Sequence, residues 1–168
     1  MNIVLIGMPG CGKSTVGVLL AKRLGMSFVD TDLLIQERTG ELLQETIDSK
    51  GDEVLLAVEQ DVIRELDCDS AVISTGGSAV YSKSGMHNLK ISSVTVYIRI
   101  TLETVQQRIN NLDTRGVVGA KNRPISEIYE ERARLYEHYA DIAVDSDSLT
   151  IEQAVDAVEA AVKDALKA

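Results

Sequence analysis

Short unbroken apolar runs alternate along the chain with longer stretches in which apolar residues recur every three or four positions. Asn2–Ile6 (NIVLI) is continuous, apolar and ends at Gly7, the pattern of a strand buried on both faces. Lys13–Leu24 places Val16, Leu19, Leu20 and Leu24 on one helical face, and Gly25 supplies a stop. Phe28-Val29 begins a second strand that ends at Asp30. Asp32–Arg38 and Leu42–Lys50 read as short helices separated by Gly40. Val54–Leu66 reads as a longer one with Val54, Leu55, Val58, Val62 and Leu66 on one side. Ala71–Ser74 is a third strand running into Gly76-Gly77, and Val94–Ile98 is a fourth. Thr101 is placed to cap a helix through about Ile109. Residues 110–124 have no apolar period and contain two glycines, which predicts a mobile loop. Ile125–Tyr139 is helical and Ile142–Val144 is a fifth strand. Thr150–Gln153 has the form of a capping box, and Ile151, Ala154, Val155, Val158, Val162 and Leu166 stripe the last helix.

Strands alternating with helices predict an α/β fold, a three-layer arrangement with a parallel sheet covered on both faces. Ligands of such sheets bind outside the carboxyl ends of the strands, and the unusual residues of this chain collect at those ends. At 168 residues, a single domain is expected over 1–168. The net charge of −9 argues against nucleic acid or an anionic membrane as partner. The absence of Trp and the single Phe leave no stacking platform for single strands. No apolar run reaches the length of a membrane span, and no secretory leader is expected from a start made directly by a strand-like run. Cys11 and Cys68 do not make a disulfide framework, so a reducing, cytoplasmic setting is expected. His87 and His138 stand apart from any zinc-ligand cluster.

Gly7-Met8-Pro9-Gly10-Cys11-Gly12-Lys13-Ser14 fits G-x-x-x-x-G-K-[ST] between a predicted strand and a predicted helix. Glycines allow the backbone N–H groups to turn inward around phosphate oxygens, and the helix beginning at Lys13 directs its positive end at the same anion. Lys13, expected to face solvent, can reach the outer phosphates, and Ser14 can ligate Mg²⁺. The motif predicts binding of a nucleoside triphosphate through Gly10, Cys11, Gly12, Lys13, Ser14 and Thr15. Cys11 reads as a small side chain, with a redox-sensitive thiol at a helix N-terminus as the alternative. No N-K-x-D motif marks the chain as a regulatory GTPase.

Further segments carry a resemblance. Asp30-Thr31-Asp32 follows the second strand, Gly51-Asp52 precedes a helix holding Glu59, and Gly76-Gly77 follows the third strand. Arg115 lies in the loop, and Glu131-Arg132, Leu135-Tyr136 and Tyr139-Ala140-Asp141 close the series. In this order and spacing the chain resembles the shikimate kinase family over nearly its whole length. The resemblance implies a nucleoside-monophosphate-kinase-like P-loop fold with five parallel strands in the order 2-3-1-4-5. It also implies an acceptor-binding subregion over about 32–66 and a lid over about 110–124. The implied activity is transfer of the ATP γ-phosphate to a hydroxyl of shikimate, with Mg²⁺; a monomer is expected. Carried over by position, Asp32 holds and helps deprotonate the acceptor hydroxyl, and Asp30 lies near Mg²⁺, mainly through water. Gly76 and Gly77 let the acceptor approach the backbone, Arg132 pairs with its carboxylate, Arg115 arrives with the lid, and Arg108 lies near adenine.

The chain departs from the family pattern at three places, all on the acceptor side. Leu56 stands where a second carboxylate-binding arginine is expected, Ser78 replaces a third glycine, and Arg115-Gly116-Val117-Val118 replaces R-P-L-L. These departures motivate an alternative reading, a related kinase for a different small alcohol, polyol or sugar acid. A non-catalytic nucleotide-binding sensor is the other. Simpler readings of single residues also stand beside the functional ones. Asp30 and Asp32 could be a helix N-terminal charge pair, Gly76-Gly77 an ordinary turn, and Arg132 a surface partner of Glu131 or Glu137. Arg123 is the rival of Arg115 for the lid role.

Overall fold

The computed structural model describes residues 1–109 and 116–167. Strands β1 (Asn2–Ile6), β2 (Ser27–Asp30), β3 (Ala71–Ser74), β4 (Ser93–Arg99) and β5 (Ile142–Asp145) form one sheet in the order β2-β3-β1-β4-β5. Every pairing is parallel, with Val4 aligned on Ile73 to one side and on Thr95 to the other. The order implied by the resemblance is the one observed. β1 and β3 are buried along their whole length, which is why they read as unbroken apolar runs.

The helices among the described residues are α1 (Lys13–Leu24), α2 (Thr31–Thr39), α3 (Leu43–Lys50), α4 (Asp52–Glu65), α5 (Lys83–Lys90), α6 (Leu102–Arg108), α7 (Ile125–Tyr139) and α8 (Ile151–Ala165). Right-handed crossovers place α1 on one face and the helices leading to β3, β4 and β5 on the other. α8 returns to pack beside α1. The start of α8 is the expected capping box: the Thr150 hydroxyl accepts from the Gln153 amide while the Gln153 side chain accepts from the Thr150 amide.

Several stripes read from the sequence are narrower than expected. Leu19, Val54, Ile151 and Leu166 are exposed. In α1 the sheet is met by Val16, Gly17, Leu20 and Ala21, because small residues bring the helix axis close and rotate Leu19 outward. In α8 the buried line is Ala154, Val155, Val158 and Val162, and the two ends overhang.

One helix and one 3₁₀ turn (Ala79–Tyr81) are absent from the sequence reading. The missed helix is α5, whose Ser84, Gly85, His87 and Asn88 are weak helix formers. Tertiary packing compensates: Met86 and Leu89 are buried, the Ser82 hydroxyl accepts from the Gly85 amide, and the Asn88 amide donates to the Ile63 carbonyl.

Beside the main core, Ile35, Ile47, Leu55 and Val62 form a second apolar cluster among α2, α3 and α4. Val118, from the segment between α6 and α7, joins it. No helix among the described residues is long and apolar enough to cross a membrane.

Candidate active site

The glycine-rich segment after β1 curls into a loop whose last residue, Gly12, sits at φ 95° immediately before α1. That left-handed conformation suits glycine and turns the chain into the helix. Lys13 is the first helical residue and, contrary to the sequence expectation, is buried, at 7 % exposure. Its ammonium donates to the carbonyls of Gly7 (2.7 Å) and Met8 (3.0 Å) and lies 3.6 Å from the Cys11 sulfur. The loop folds around its own lysine, so the charge is held at the loop mouth by carbonyls instead of standing in solvent. Cys11 is buried beneath it. Arg108, at the end of α6, donates to the Gly10 carbonyl at 3.2 Å. Ser14 and Thr15 line the open side of the loop.

At the end of β2 two carboxylates take different roles. Asp30 caps α2 by accepting from the Asp32 amide (3.0 Å), and its other oxygen accepts from the Ser14 hydroxyl at 2.6 Å. The capping role and a role beside the phosphate loop therefore coexist in one residue. Ser74, at the end of β3, lies 3.2 Å from the same hydroxyl. Hydroxyl and carboxylate oxygens are the donors Mg²⁺ takes, and this cation usually completes its shell with water and phosphate oxygens. The pair Ser14–Asp30 fits such an ion. Asp32 faces the cleft. Loss of water, and then the neighbouring Asp30 charge, push its carboxyl up to about 6, against the opposing pull of Lys13.

From the loop a cleft of about 320 Å³ opens outside the carboxyl ends of the strands. Its far wall is Asp32, Glu59, Gly76 to Ser78 and Arg132, and Val117 and Val118 form a roof. Arg132 is 1 % exposed, in the middle of the buried α7 face between Ile128 and Tyr136. It is therefore not a surface partner of Glu131 or Glu137. Its guanidinium donates to the Val118 carbonyl (3.0 Å) and to the Tyr81 hydroxyl (3.4 Å), and lies over the Tyr81 ring. Glu131 instead accepts from Arg123 at 3.1 Å, and Arg123 also faces Glu127, so Arg123 belongs to the α7 surface and does not line the cleft. Arg115, the residue expected to arrive with the lid, lies outside the described residues. The described part of that loop is fastened down. The Gly116 amide donates to Gln44 (3.1 Å), the Gly119 amide donates to Asp52 (3.0 Å), and Lys121 pairs with Asp48.

Gly76 and Gly77 make the close approach their residue type permits. A methyl group on Gly76 would lie 2.5 Å from a Glu59 oxygen and 2.6 Å from an Asp32 oxygen. On Gly77 it would lie 2.9 Å from the Arg132 guanidinium. Tyr136, packed against Tyr97 with the rings tilted by 33° and their centroids 5.1 Å apart, donates to the Gly77 carbonyl at 2.6 Å and holds this turn in place.

The sequence reading left Glu59 without a role. It is 2 % exposed and lines the cleft. Burial pushes its carboxyl up to about 7, the Ser78 hydroxyl bond opposes this, and Asp32 adds to it. Its signal was present: Glu59 falls in register with Leu55 and Val62 on the buried side of α4, where a carboxylate has no place unless something polar faces it. Leu56 packs against the second apolar cluster, and Leu55 lines the cleft instead.

Comparison with known proteins agrees with this geometry. The family model for shikimate kinase matches residues 9–163. A shikimate kinase of Moorella thermoacetica is 37 % identical over 169 residues, covering 99 % of this chain and 95 % of its own. The structure of shikimate kinase from Aquifex aeolicus superposes with a TM-score of 0.86 at 30 % identity, covering 99 % of this chain and 98 % of that one. That of the Acinetobacter baumannii enzyme in complex with shikimate also gives 0.86, at 27 % identity, covering 99 % and 93 %.

Proposed function

The chain belongs to the shikimate kinase family, and from that premise we propose that it transfers the γ-phosphate of ATP to a ring hydroxyl of shikimate, giving shikimate 3-phosphate and ADP. The observation that carries this reading is a single cleft into which the phosphate loop, Asp32 and Arg132 all open. Donor and acceptor can therefore meet without a large rearrangement of the backbone.

The loop amides and the α1 N-terminus bind the phosphates. Lys13 exchanges the carbonyls of Gly7 and Met8 for phosphate oxygens and stabilises charge on the transferred group. Arg108, which donates to the Gly10 carbonyl of the loop, is assigned to the nucleotide base. Ser14 and Asp30 would hold Mg²⁺, and the ion would supply charge neutralisation on the phosphates. Asp32 accepts the proton of the attacking hydroxyl, with a pKa of about 6 that suits a base working near neutrality. Arg132 takes the acceptor carboxylate from beneath the Val118 roof, Gly76 and Gly77 give the ring room, and Arg115 completes the charge around the phosphate when the lid is down. All these residues come from one chain, so a monomer suffices. Cys11 and Cys68 are free thiols, in keeping with the cytoplasm.

The test is an assay coupled to ADP release with shikimate and a panel of hydroxy acids, polyols and sugars, repeated on Asp32→Asn. Turnover with shikimate that falls at least a hundred-fold in the variant, with ATP binding retained, is the expected result. Turnover of a different alcohol with shikimate inert would overturn the acceptor assignment, and nucleotide binding with no transfer to any acceptor would overturn the enzyme assignment.

A further inference from the structure

The acceptor end of the cleft holds more negative charge than the mechanism uses. Glu59 is almost fully buried, yet no Lys or Arg among the described residues comes within ion-pair distance of it. One of its oxygens accepts from the Ser78 hydroxyl at 2.6 Å. The other points to the space above Gly76, within 2.5 Å of the position a methyl group would take there, while an Asp32 oxygen lies within 2.6 Å of the same position. Two carboxylate oxygens from different helices, α2 and α4, thus stand no more than about 5 Å apart and open on the same cleft. A carboxylate oxygen that opens on the cleft, with no protein partner among the described residues, is available to a donor on the ligand.

The two departures nearest this wall meet at that carboxylate. Leu56 lies one turn before Glu59 and puts no cation beside it, since its side chain is taken up by the apolar cluster. Ser78 adds a hydroxyl that fixes one oxygen and leaves the other free. Lys13 and Arg132 face the same space but are held by the loop carbonyls and by Val118.

We propose that Glu59, oriented by Ser78, binds the acceptor hydroxyl next to the one that Asp32 activates, so that this kinase selects a diol by two adjacent carboxylates. The proposal rests on shikimate being the acceptor. Neighbouring hydroxyls on a six-membered ring are close enough to donate one to each carboxylate. In this arrangement the second hydroxyl takes over part of the orienting work that a second arginine would do on the acid group. Glu59 is then a determinant of acceptor binding, with Asp32 alone taking the proton.

The experiment measures KM and kcat of Glu59→Gln and Glu59→Leu with shikimate and with an analogue lacking the hydroxyl adjacent to the reacting one, at saturating ATP. Loss of a charge-assisted hydrogen bond raises the shikimate KM about ten-fold or more in Glu59→Leu and less in Glu59→Gln. The change in kcat stays within about three-fold and the KM for ATP stays constant. With the analogue, wild type and variants converge, because the group that Glu59 binds is gone. Equal losses with both acceptors would overturn the proposal and leave Glu59 as a support for the Gly76–Ser78 turn. Should Glu59→Leu fail to fold, Glu59→Gln carries the same comparison. Wild-type protein inert towards shikimate would instead overturn the acceptor assignment of the preceding subsection, and this proposal with it.

Discussion

The roles proposed for Asp32 and Glu59 depend on the protein having taken water away from them. A carboxylic acid at its ordinary pKa is too weak a base to take a hydroxyl proton effectively near neutrality, and burial beside a second carboxylate moves Asp32 to about 6. The activity is therefore expected to carry this group's signature. At saturating ATP, kcat/KM for shikimate falls ten-fold per pH unit once the pH drops below about 6, where Asp32 is protonated. A pH profile flat down to pH 4.5 would show that another group takes the proton. Gly76 makes an independent prediction at the same scale. A methyl group there would meet oxygens of both Glu59 and Asp32. Gly76→Ala is expected to raise the KM for shikimate by more than ten-fold while leaving the KM for ATP within about two-fold, since the phosphate loop is untouched. Steady-state kinetics with each substrate varied in turn reads this directly.

Among the elements, the segment from Gly116 to Lys121 is held to α3 and α4 by side chains of those helices, and Val118 is buried with their apolar residues. The described part of the loop is therefore joined to α3 and α4, and Arg132 ties it back to α7 through the Val118 carbonyl. The sequence predicted a mobile loop here because it saw two glycines and no periodicity. It could not see that Asp52 would accept from the Gly119 amide. Asp52→Ala removes that acceptor and leaves an amide unpaired, at a cost of about 1–3 kcal/mol. The expected outcome is faster amide exchange across residues 116–121, a shikimate KM several-fold higher, and a Tm lower by a few degrees. Exchange equal to that of the wild-type protein would mean that the apolar contact of Val118 alone holds the segment.

For the whole molecule, these buried carboxylates set stability against function. Asp32 has a folded pKa of about 6 against an ordinary 3.8, and Glu59 about 7 against 4.5. Between each pair of values the folded state holds more protons than the unfolded one, so this contribution to stability falls as pH rises through the window. Above it each group costs up to about 3 kcal/mol. Asp32→Asn is therefore expected to raise Tm by several degrees at pH 8 and to change it little near pH 3.5, where the folded-state carboxyl is neutral and the unfolded one largely so. A scan of Tm against pH for the two proteins checks this, and a variant less stable at pH 8 would contradict it. The elements were largely legible before the structure. β1, α1, β3 and α7 have their predicted boundaries, because an unbroken apolar run, a Gly stop and an i, i+4 stripe are local signals. α5 was not, since its sequence disfavours a helix and only burial of Met86 and Leu89 stabilises it. The phosphate loop was legible for the same local reason: its function is carried by consecutive backbone amides. The acceptor site was legible only in part. Sequence determined the phosphate-loop motif after the first strand and pointed to Asp30, Asp32 and Arg132 as site residues. Tertiary structure decided that Lys13 is buried, that Arg132 is a core residue, and that Glu59 from α4 and Asp32 from α2 share one wall. Those facts depend on residues far apart in the chain meeting in a space from which water is excluded.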